Sequence, residues 1–361
     1  MTAFLHGCNY PWSADGTTVY YGMDFGANVW GSHLGVSTRR ASVQRDFERM
    51  ASLGFIVARW FVFGDGRSGI VYDERGLPTR LDDWFFLDLD AALEIAVSVD
   101  ISLVLVLLDH HWMFRGIPDA LADPASGGIV ETRLPNGRDV VLSTEEGHDA
   151  LLMHVIAPIV ERYGPSGVRA DLGHRLLAYE LMNEPDFIIE EWEMDVSPRV
   201  RRPVRFETFA ALVSRFSVVV HARSRSLTTI GCAYLRNLWA WDDASLGLDV
   251  LQLHTYPDLR RPQRDVDIIG TPATALGVRR PVILGEFPAD GPNRHPAGAR
   301  PPDTTLDDYL AFGLSGGYLG AWPWSFSGTD AYGPVPPPAL RRFAQRHPEL
   351  VNPRALVPSQ D

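Results

Sequence analysis

The chain has 361 residues, of which 45% are hydrophobic, and its formal net charge is −12. A chain of this length and composition can bury the core of one large domain, and α/β barrels often have this size. The acidic balance and the lack of a sustained basic stripe argue against nucleic-acid binding and favour an uncharged or weakly polar partner.

The chain contains no lysine, so all 33 of its basic residues are arginine. Chemistry that needs a lysine Schiff base, including lysine-bound pyridoxal phosphate, is therefore excluded, and we predict no cofactor. The two cysteines, Cys8 and Cys232, fall in different predicted strands. This placement favours two buried thiols over a disulfide or a metal site.

The N-terminal residues 1–9 have neither a basic head nor an apolar signal core, and no segment approaches about 18 uninterrupted apolar residues. We therefore expect no association with a membrane. The expected location is the cytoplasm, or outside the cell if a signal peptide has been removed. The sequence leaves the oligomeric state open.

Strand and helix patterns alternate along the whole chain, which is typical of a mostly parallel sheet with helices outside it. Eight strands are predicted, at 4–9, 56–62, 102–108, 175–184, 228–232, 250–256, 282–286 and 318–324. They predict the α/β fold class and a single (β/α)8 TIM-barrel domain over residues 1–361, with elaborated βα loops.

Helical spacing of apolar residues predicts the outer layer of the barrel. Helices are predicted at 42–54, with Ser42 as the N-cap, and at 86–99, 144–163, 205–224, 267–276, 305–315 and after 336–338. Two long segments, 10–40 and 116–143, are predicted as loops, and Asn136-Gly137 indicates a hairpin turn in the second.

Polar or aromatic side chains follow most of the apolar strand patterns, where the loops of a barrel form its mouth. Glu184 and Glu286 each end such a run. If their carboxyl groups lie about 5–5.5 Å apart, one can act as a nucleophile and the other as acid and then base, as in retaining glycoside hydrolysis. For either glutamate singly, the alternative is a strand-end carboxylate paired with arginine.

Three further strand-end residues have predicted supporting roles. Arg59 and Tyr256 could keep Glu286 ionised by charge and hydrogen bonding, although Arg59 could also form a purely structural salt bridge. Asn183 could donate to a sugar hydroxyl beside the reacting carbon. Its alternative role is that of a strand-terminating turn residue.

Histidines and tryptophans complete the predicted site. His110 and His111 point to opposite faces if their strand persists, so we favour His111 at the substrate and His110 as packing or loop support, with a metal pair as the weaker alternative. His254 could orient the acid, bind sugar or be structural. Trp324 offers an apolar plate for a sugar ring, and Trp322 either shares this role or belongs to the core.

Taken together, these strand ends resemble those of the clan A retaining glycoside hydrolases, and most closely glycoside hydrolase family 5, the cellulase and β-mannanase family. The segment that begins at Trp324, Trp-Ser-Phe-Ser-Gly-Thr, also resembles a β-mannanase segment. The resemblance implies a (β/α)8 barrel that acts on carbohydrate, with Glu184 as acid/base and Glu286 as nucleophile. The matching segments are Arg59, Asp109-His110-His111, Asn183-Glu184-Pro185, His254-Thr255-Tyr256, Gly285-Glu286-Phe287 and Trp324.

The leading hypothesis is therefore a retaining β-glycosidase that hydrolyses β-linked glycosides or oligosaccharides by double displacement. Three alternatives are a transglycosylase that uses the same site, a sugar-binding barrel without turnover, and a metal-dependent barrel hydrolase. The paired glutamates argue against the binding barrel, because a binding protein needs no acid and nucleophile. The sugar, its linkage and the choice between exo and endo action stay open.

Overall fold

The computed structural model describes residues 4–13, 22–29, 31–114, 139–193, 195–260, 266–290, 303–328 and 332–356. Within these residues, eight parallel strands close into a barrel, and every barrel strand pairs with its neighbours in chain order. The predicted (β/α)8 fold is therefore confirmed. The barrel strands are β1 (Leu5–Asn9), β2 (Val57–Phe61), β5 (Ser102–Asp109), β6 (Leu176–Asn183), β7 (Leu227–Cys232), β8 (Leu251–His254), β9 (Val282–Glu286) and β10 (Gly320–Ala321).

Helices surround the barrel and cover the apolar outer faces of its strands. None of the helices in the described ranges is long and apolar enough to cross a bilayer. The helices are α1 (Arg40–Ser52), α2 (Phe85–Val99), α3 (Asp139–Ser143), α4 (Glu145–Leu151), α5 (Ala157–Tyr163), α6 (Phe206–Arg223), α7 (Leu238–Trp241), α8 (Leu306–Ser315) and α9 (Pro337–Arg346).

Several predicted helices differ in detail. The helix predicted at 144–163 is interrupted by a wider π-type turn at Leu152–Ile156, next to Pro158, whose ring nitrogen cannot donate the regular helical hydrogen bond. Helix α1 begins at Arg40, so Ser42 is not its N-cap. The helix predicted at 267–276 is wrong: Gly270 and Pro272 interrupt it, and only a 3-10 turn at Ala273–Ala275 forms.

The strand predictions also need corrections. A two-stranded antiparallel hairpin, β3 (Ile70–Tyr72) with β4 (Pro78–Leu81), follows β2 and was not predicted. Strand β10 has only two residues of the seven predicted, and Pro323, which has no N–H to donate, lies just beyond it. The hairpin predicted at Asn136-Gly137 lies outside the described residues.

The interior of the barrel is layered. At the amino-terminal ends of the strands, Val57, Val104, Ile283 and Trp322 form part of a dry apolar cluster. One level higher, Arg59 and other polar side chains fill the centre. The register sets what lies above them, because Asp109 pairs with Asn183 and His254 pairs with Glu286. The carboxyl ends of four different strands thus bring polar side chains to one level.

Candidate active site

Glu184 and Glu286 meet at the carboxyl-terminal mouth of the barrel. The Nδ1 atom of His254 lies 3.0 Å from Oε1 of Glu184 and 3.5 Å from Oε1 of Glu286. One carboxylate oxygen of each glutamate and a ring nitrogen of His254 all lie within 4.8 Å of one another. The two acidic side chains, 102 residues apart in the sequence, are therefore direct neighbours across one histidine.

The backbone conformation of Glu184 sets the direction of its side chain. Glu184 follows β6 in the left-handed region, with φ 50° and ψ 54°, a conformation that costs a non-glycine residue on the order of 1 kcal/mol. Its N–H donates to the carbonyl oxygen of Gly231 at 2.8 Å, and Pro185 then starts a 3-10 turn. The chain thus leaves the barrel sharply at the carboxylate.

Glu286 lies between a cation and a hydroxyl donor. Nη1 of Arg59 donates to its Oε1 at 2.6 Å, and the hydroxyl of Tyr256 donates to its Oε2 at 2.7 Å. Burial raises the pKa of Glu286, and the neighbouring Glu184 adds to the rise, whereas His254, Arg59 and the Tyr256 hydrogen bond oppose it by favouring the ionised form. The surroundings of Glu286 thus offer specific partners to a carboxylate.

The surroundings of Glu184 instead favour the protonated form of its carboxyl group. Burial raises the pKa of Glu184 to about 7; nearby His110 opposes the rise, and the negative charges of Asp109 and Asp186 add to it. Burial also lowers the pKa of His254 to about 4, so this imidazole is neutral at neutral pH. His254 can therefore contact both carboxyl groups without adding a positive charge.

A buried polar layer beneath the two glutamates fixes Arg59, and the sequence analysis did not identify it. Nε and Nη2 of Arg59 donate to the two carboxylate oxygens of Glu180, at 2.7 and 2.6 Å. The amide of Gln252 donates to Glu180 at 2.7 Å, and Oδ1 of Asn9 accepts from Arg59 at 2.8 Å. A charged residue inside the apolar β6 pattern was the signal that could have identified Glu180.

Asn183 is held from two sides. Its Oδ1 accepts from Nη2 of Arg59 at 2.7 Å, and one amide hydrogen goes to Asp109 at 2.8 Å. A side-chain amide has two N–H donors. The arrangement therefore fixes the orientation of Asn183 and uses one of its two donors.

The two adjacent histidines do not follow the alternation assumed in the sequence analysis. Strand β5 ends at Asp109, and His110–Met113 form a 3-10 turn, so the two rings do not point to opposite faces of a strand. Nδ1 of His111 lies 2.7 Å from Oδ1 of Asp109, and Nδ1 of His110 lies between Oδ2 of Asp109, at 3.4 Å, and Oε2 of Glu184, at 3.8 Å. His110, which was predicted to serve as packing or loop support, thus lies beside Glu184.

The structure separates the two predicted tryptophans. Trp324 packs edge-on against Phe61 and Trp12 near the mouth. The rings of Tyr256 and Tyr332, tilted by 47° to each other with centroids 4.6 Å apart, contact the same cluster. Trp322 is not part of the site. It is 1% exposed in the apolar layer, and its indole N–H donates to the carbonyl oxygen of Leu5 at the opposite end of the strands.

Among the residues that the structure describes, two groups of side chains offer closely spaced metal-ligand atoms: Asp109 with His110 and His111, and Glu184 with His254 and Glu286. The closest contacts in each group, 2.7 Å from His111 to Asp109 and 3.0 Å from His254 to Glu184, have the length of hydrogen bonds. These contacts are thus explained by the polar network itself. Cys8 and Cys232 are buried free thiols.

Solved structures that are similar to this barrel include glycoside hydrolases. A β-mannanase from the blue mussel Mytilus edulis superposes with a TM-score of 0.68 at 17% sequence identity, over 91% of this chain and 88% of that one. A β-1,4-D-mannanase from Cryptopygus antarcticus gives 0.68 at 18% identity, over 94% and 88%. The chain has the fold of the β-mannanases.

A third similar structure is an exo-β-1,4-mannosidase from an Opitutaceae bacterium, strain TAV5, with a TM-score of 0.59 at 18% identity over 98% of this chain and 60% of that one. No protein-family model and no curated protein sequence matches the chain. The resemblance inferred from the strand ends is confirmed at the level of the fold.

Proposed function

We propose that this chain is a retaining β-glycoside hydrolase that acts on β-linked glycosides or oligosaccharides. The observation that carries the proposal is a close pair of carboxyl groups in unlike surroundings. Glu184 and Glu286 present oxygens within 4.8 Å of each other. A separation of about 5–5.5 Å between carboxyl groups is typical of retaining enzymes, whereas inverting enzymes leave about 6.5–9.5 Å for a water molecule.

The first step follows from the different environments of the two glutamates. Glu286, which Arg59 and Tyr256 contact, attacks the anomeric carbon and forms a glycosyl-enzyme ester. Glu184, whose pKa burial raises to about 7, gives its proton to the departing glycosidic oxygen. The leaving alcohol thus departs neutral.

The second step reverses these roles. Glu184, now a carboxylate, removes a proton from a water molecule that attacks the same anomeric carbon from the same face as the departed alcohol. The ester bond to Glu286 breaks, and the sugar leaves with its original anomeric configuration. Asn183, with its second N–H, is placed to donate to a sugar hydroxyl during both steps, where a bond that tightens in the transition state increases the rate.

The named activities of the similar structures suggest where to look for the substrate. β-Mannanases and an exo-β-mannosidase have this fold, so β-mannosides are the first substrates to test and β-glucosides the second. The aromatic cluster that contains Trp324 supports a pyranose beside Glu286, because the apolar face of a sugar ring packs well on an indole.

The test is turnover of aryl β-mannosides, aryl β-glucosides and β-linked oligosaccharides, with the anomer of the first product followed by NMR. We expect the β-anomer to form first. Glu286→Gln should lower kcat by at least about a thousandfold, since the variant has no nucleophile, and thermal unfolding of the variant checks that it is folded. First formation of the α-anomer, or unchanged turnover by the variant, would remove the proposal.

A further inference from the structure

A row of aromatic rings begins beside Glu184. His110 lies 3.8 Å from the Glu184 carboxylate, and its ring centroid is 4.7 Å from that of Phe187. The Phe187 ring meets Tyr234 edge-on at 5.7 Å. Phe187 is half-buried.

The position of this row identifies the part of a substrate that it would meet. In the proposed reaction, the sugar that is attacked lies over Glu286, next to Tyr256 and the cluster that contains Trp324. The proton from Glu184 goes to the oxygen that links this sugar to the leaving group. The leaving group must therefore extend past Glu184, on the side where His110 and Phe187 lie.

The row is held by buried carboxylates rather than by loop packing alone. Asp186, which precedes Phe187, is fully buried and accepts from the backbone N–H of Ala233 at 2.9 Å and from the amide of Asn237 at 2.7 Å. This ties the turn after β6 to the segment after β7 that carries Tyr234. Phe187 therefore stands on a braced turn.

A second brace fixes the far end of the row. The guanidinium of Arg236 lies over the Tyr234 ring, 4.2 Å from its centroid, and forms an ion pair with buried Asp195. Asp195 also accepts from the Asn237 amide at 3.1 Å. Because Arg236 covers one face of Tyr234 and its charge is paired, the row offers an apolar surface rather than a cationic one.

We propose that Phe187, flanked by His110 and Tyr234, is the surface that binds the leaving group, and that this leaving group is a pyranose ring whose apolar face packs on the phenyl ring. The inference rests on the proposed β-glycosidase function and deepens it. It makes Phe187 a specificity-determining residue that favours oligosaccharides over glycosides with small leaving groups. In the second step the same surface would receive a sugar acceptor in place of water.

The test compares two substrates that share the same sugar over Glu286. One is a β-linked oligosaccharide, and the other is the corresponding β-glycosyl fluoride, which replaces the leaving sugar by a single atom. For Phe187→Ala we expect the ratio of kcat/KM on the oligosaccharide to kcat/KM on the fluoride to fall at least about tenfold. Phe187→Tyr, which keeps an aromatic ring, should retain most of the ratio that the parent protein shows. Phe187→Leu, which has no ring, should not.

Phe312→Ala is the matched control, since Phe312 is a half-buried phenylalanine on α8, outside the barrel mouth, and should leave the ratio unchanged. Thermal unfolding of each variant checks that it is folded. Equal losses on both substrates in Phe187→Ala, or an unchanged ratio, would overturn the inference. If the parent protein turned over neither substrate, the proposed function itself would fail, and the inference with it.

Discussion

At the scale of single residues, the two glutamates differ in the contacts of their carboxyl groups. Glu286 accepts hydrogen bonds from an arginine and a tyrosine, whereas Glu184 contacts a neutral histidine. Two acidic groups with different environments can hold different protonation states at the same pH, which a double displacement needs. The difference leads to a prediction about pH.

The rate should fall as the pH rises above about 7. Burial raises the pKa of Glu184 to about 7, and only the protonated carboxyl can donate to the leaving group, so each pH unit above that value removes most of the active form. A profile of kcat/KM against pH measures this limb. Glu184→Gln should lower kcat about 100- to 10,000-fold and remove the basic limb; a basic limb that persisted in this variant would assign it to another group.

Replacing Glu180 should strongly lower the free energy of unfolding. Glu180→Gln breaks the two-point contact with fully buried Arg59, and removing one partner of a buried ion pair typically costs about 3–5 kcal/mol. Urea unfolding measures the loss. Glu146→Gln is the control, because its pair with Arg75 is exposed and should be worth at most about 1 kcal/mol. Equal effects of the two substitutions would contradict this account.

At the scale of elements, two strands carry glycine where the polar layer needs space. A Cβ atom at Gly231 in β7 would come within 2.7 Å of Oε1 of Glu180 and 3.0 Å of the His254 ring. At Gly285 in β9 it would come within 2.7 Å of Oε1 of Gln252. The strands thus exclude side chains at two positions so that larger polar groups from neighbouring strands can fill the barrel.

Gly231→Ala should therefore lower both stability and activity. We expect a loss of about 1–3 kcal/mol in the free energy of unfolding, as for other overpacked interiors, and a lower kcat because Glu180 and His254 must shift. Gly313→Ala in α8 is a control outside the polar layer, where the nearest atom is the Ala321 Cβ at 3.0 Å and alanine favours a helix by about 1 kcal/mol. A fully active, fully stable Gly231→Ala variant would show that the polar layer is not tightly packed.

At the scale of the whole molecule, the two ends of the described chain close the barrel together. Strand β1 pairs with β2 on one side and with β10 on the other. Helix α9 then packs Phe343 against the His6 ring of β1, at 4.7 Å, and Phe55 contacts the same ring from 4.8 Å. His6 is fully buried, and neither of its ring nitrogens has a hydrogen-bond partner among the described residues.

This arrangement should make the fold less stable in acid. Burial lowers the pKa of His6 from 6.5 to about 3, so between these values the unfolded chain binds a proton that the folded chain does not. The contribution of neutral His6 to the free energy of unfolding is fully present above pH 6.5. It falls by about 1.4 kcal/mol per pH unit as the pH decreases towards 3. Urea unfolding of the parent protein and of His6→Leu at several pH values measures the difference. A difference that did not change with pH would contradict the assignment.

The sequence by itself determined the number and order of the barrel strands, because each apolar run had to be buried and alternated with a helix pattern. It also placed Glu184, Glu286 and His254 at strand ends, since a polar residue after a buried run marks the point where the chain reaches the mouth. These features depend on neighbours along the chain. The strand-end position predicted for Arg59 is wrong, because Arg59 is the middle residue of β2 and lies below the mouth. The residues that interrupt two predicted helices, Pro158 in one and Gly270 and Pro272 in the other, were visible in the sequence. The helical spacing of the apolar residues around them nevertheless led to the prediction of uninterrupted helices.

Only the tertiary structure decided which side chains meet across the barrel. Glu180 contacts Arg59 across 121 positions of sequence, and no local pattern encodes that contact. The end of β5 at Asp109 brought His110 rather than His111 to Glu184, and the short β10 left Trp322 in the apolar layer while Trp324 reached the mouth. The physical reason is that strand register and strand length set the height of each side chain inside the barrel, and both depend on pairing between strands distant in sequence.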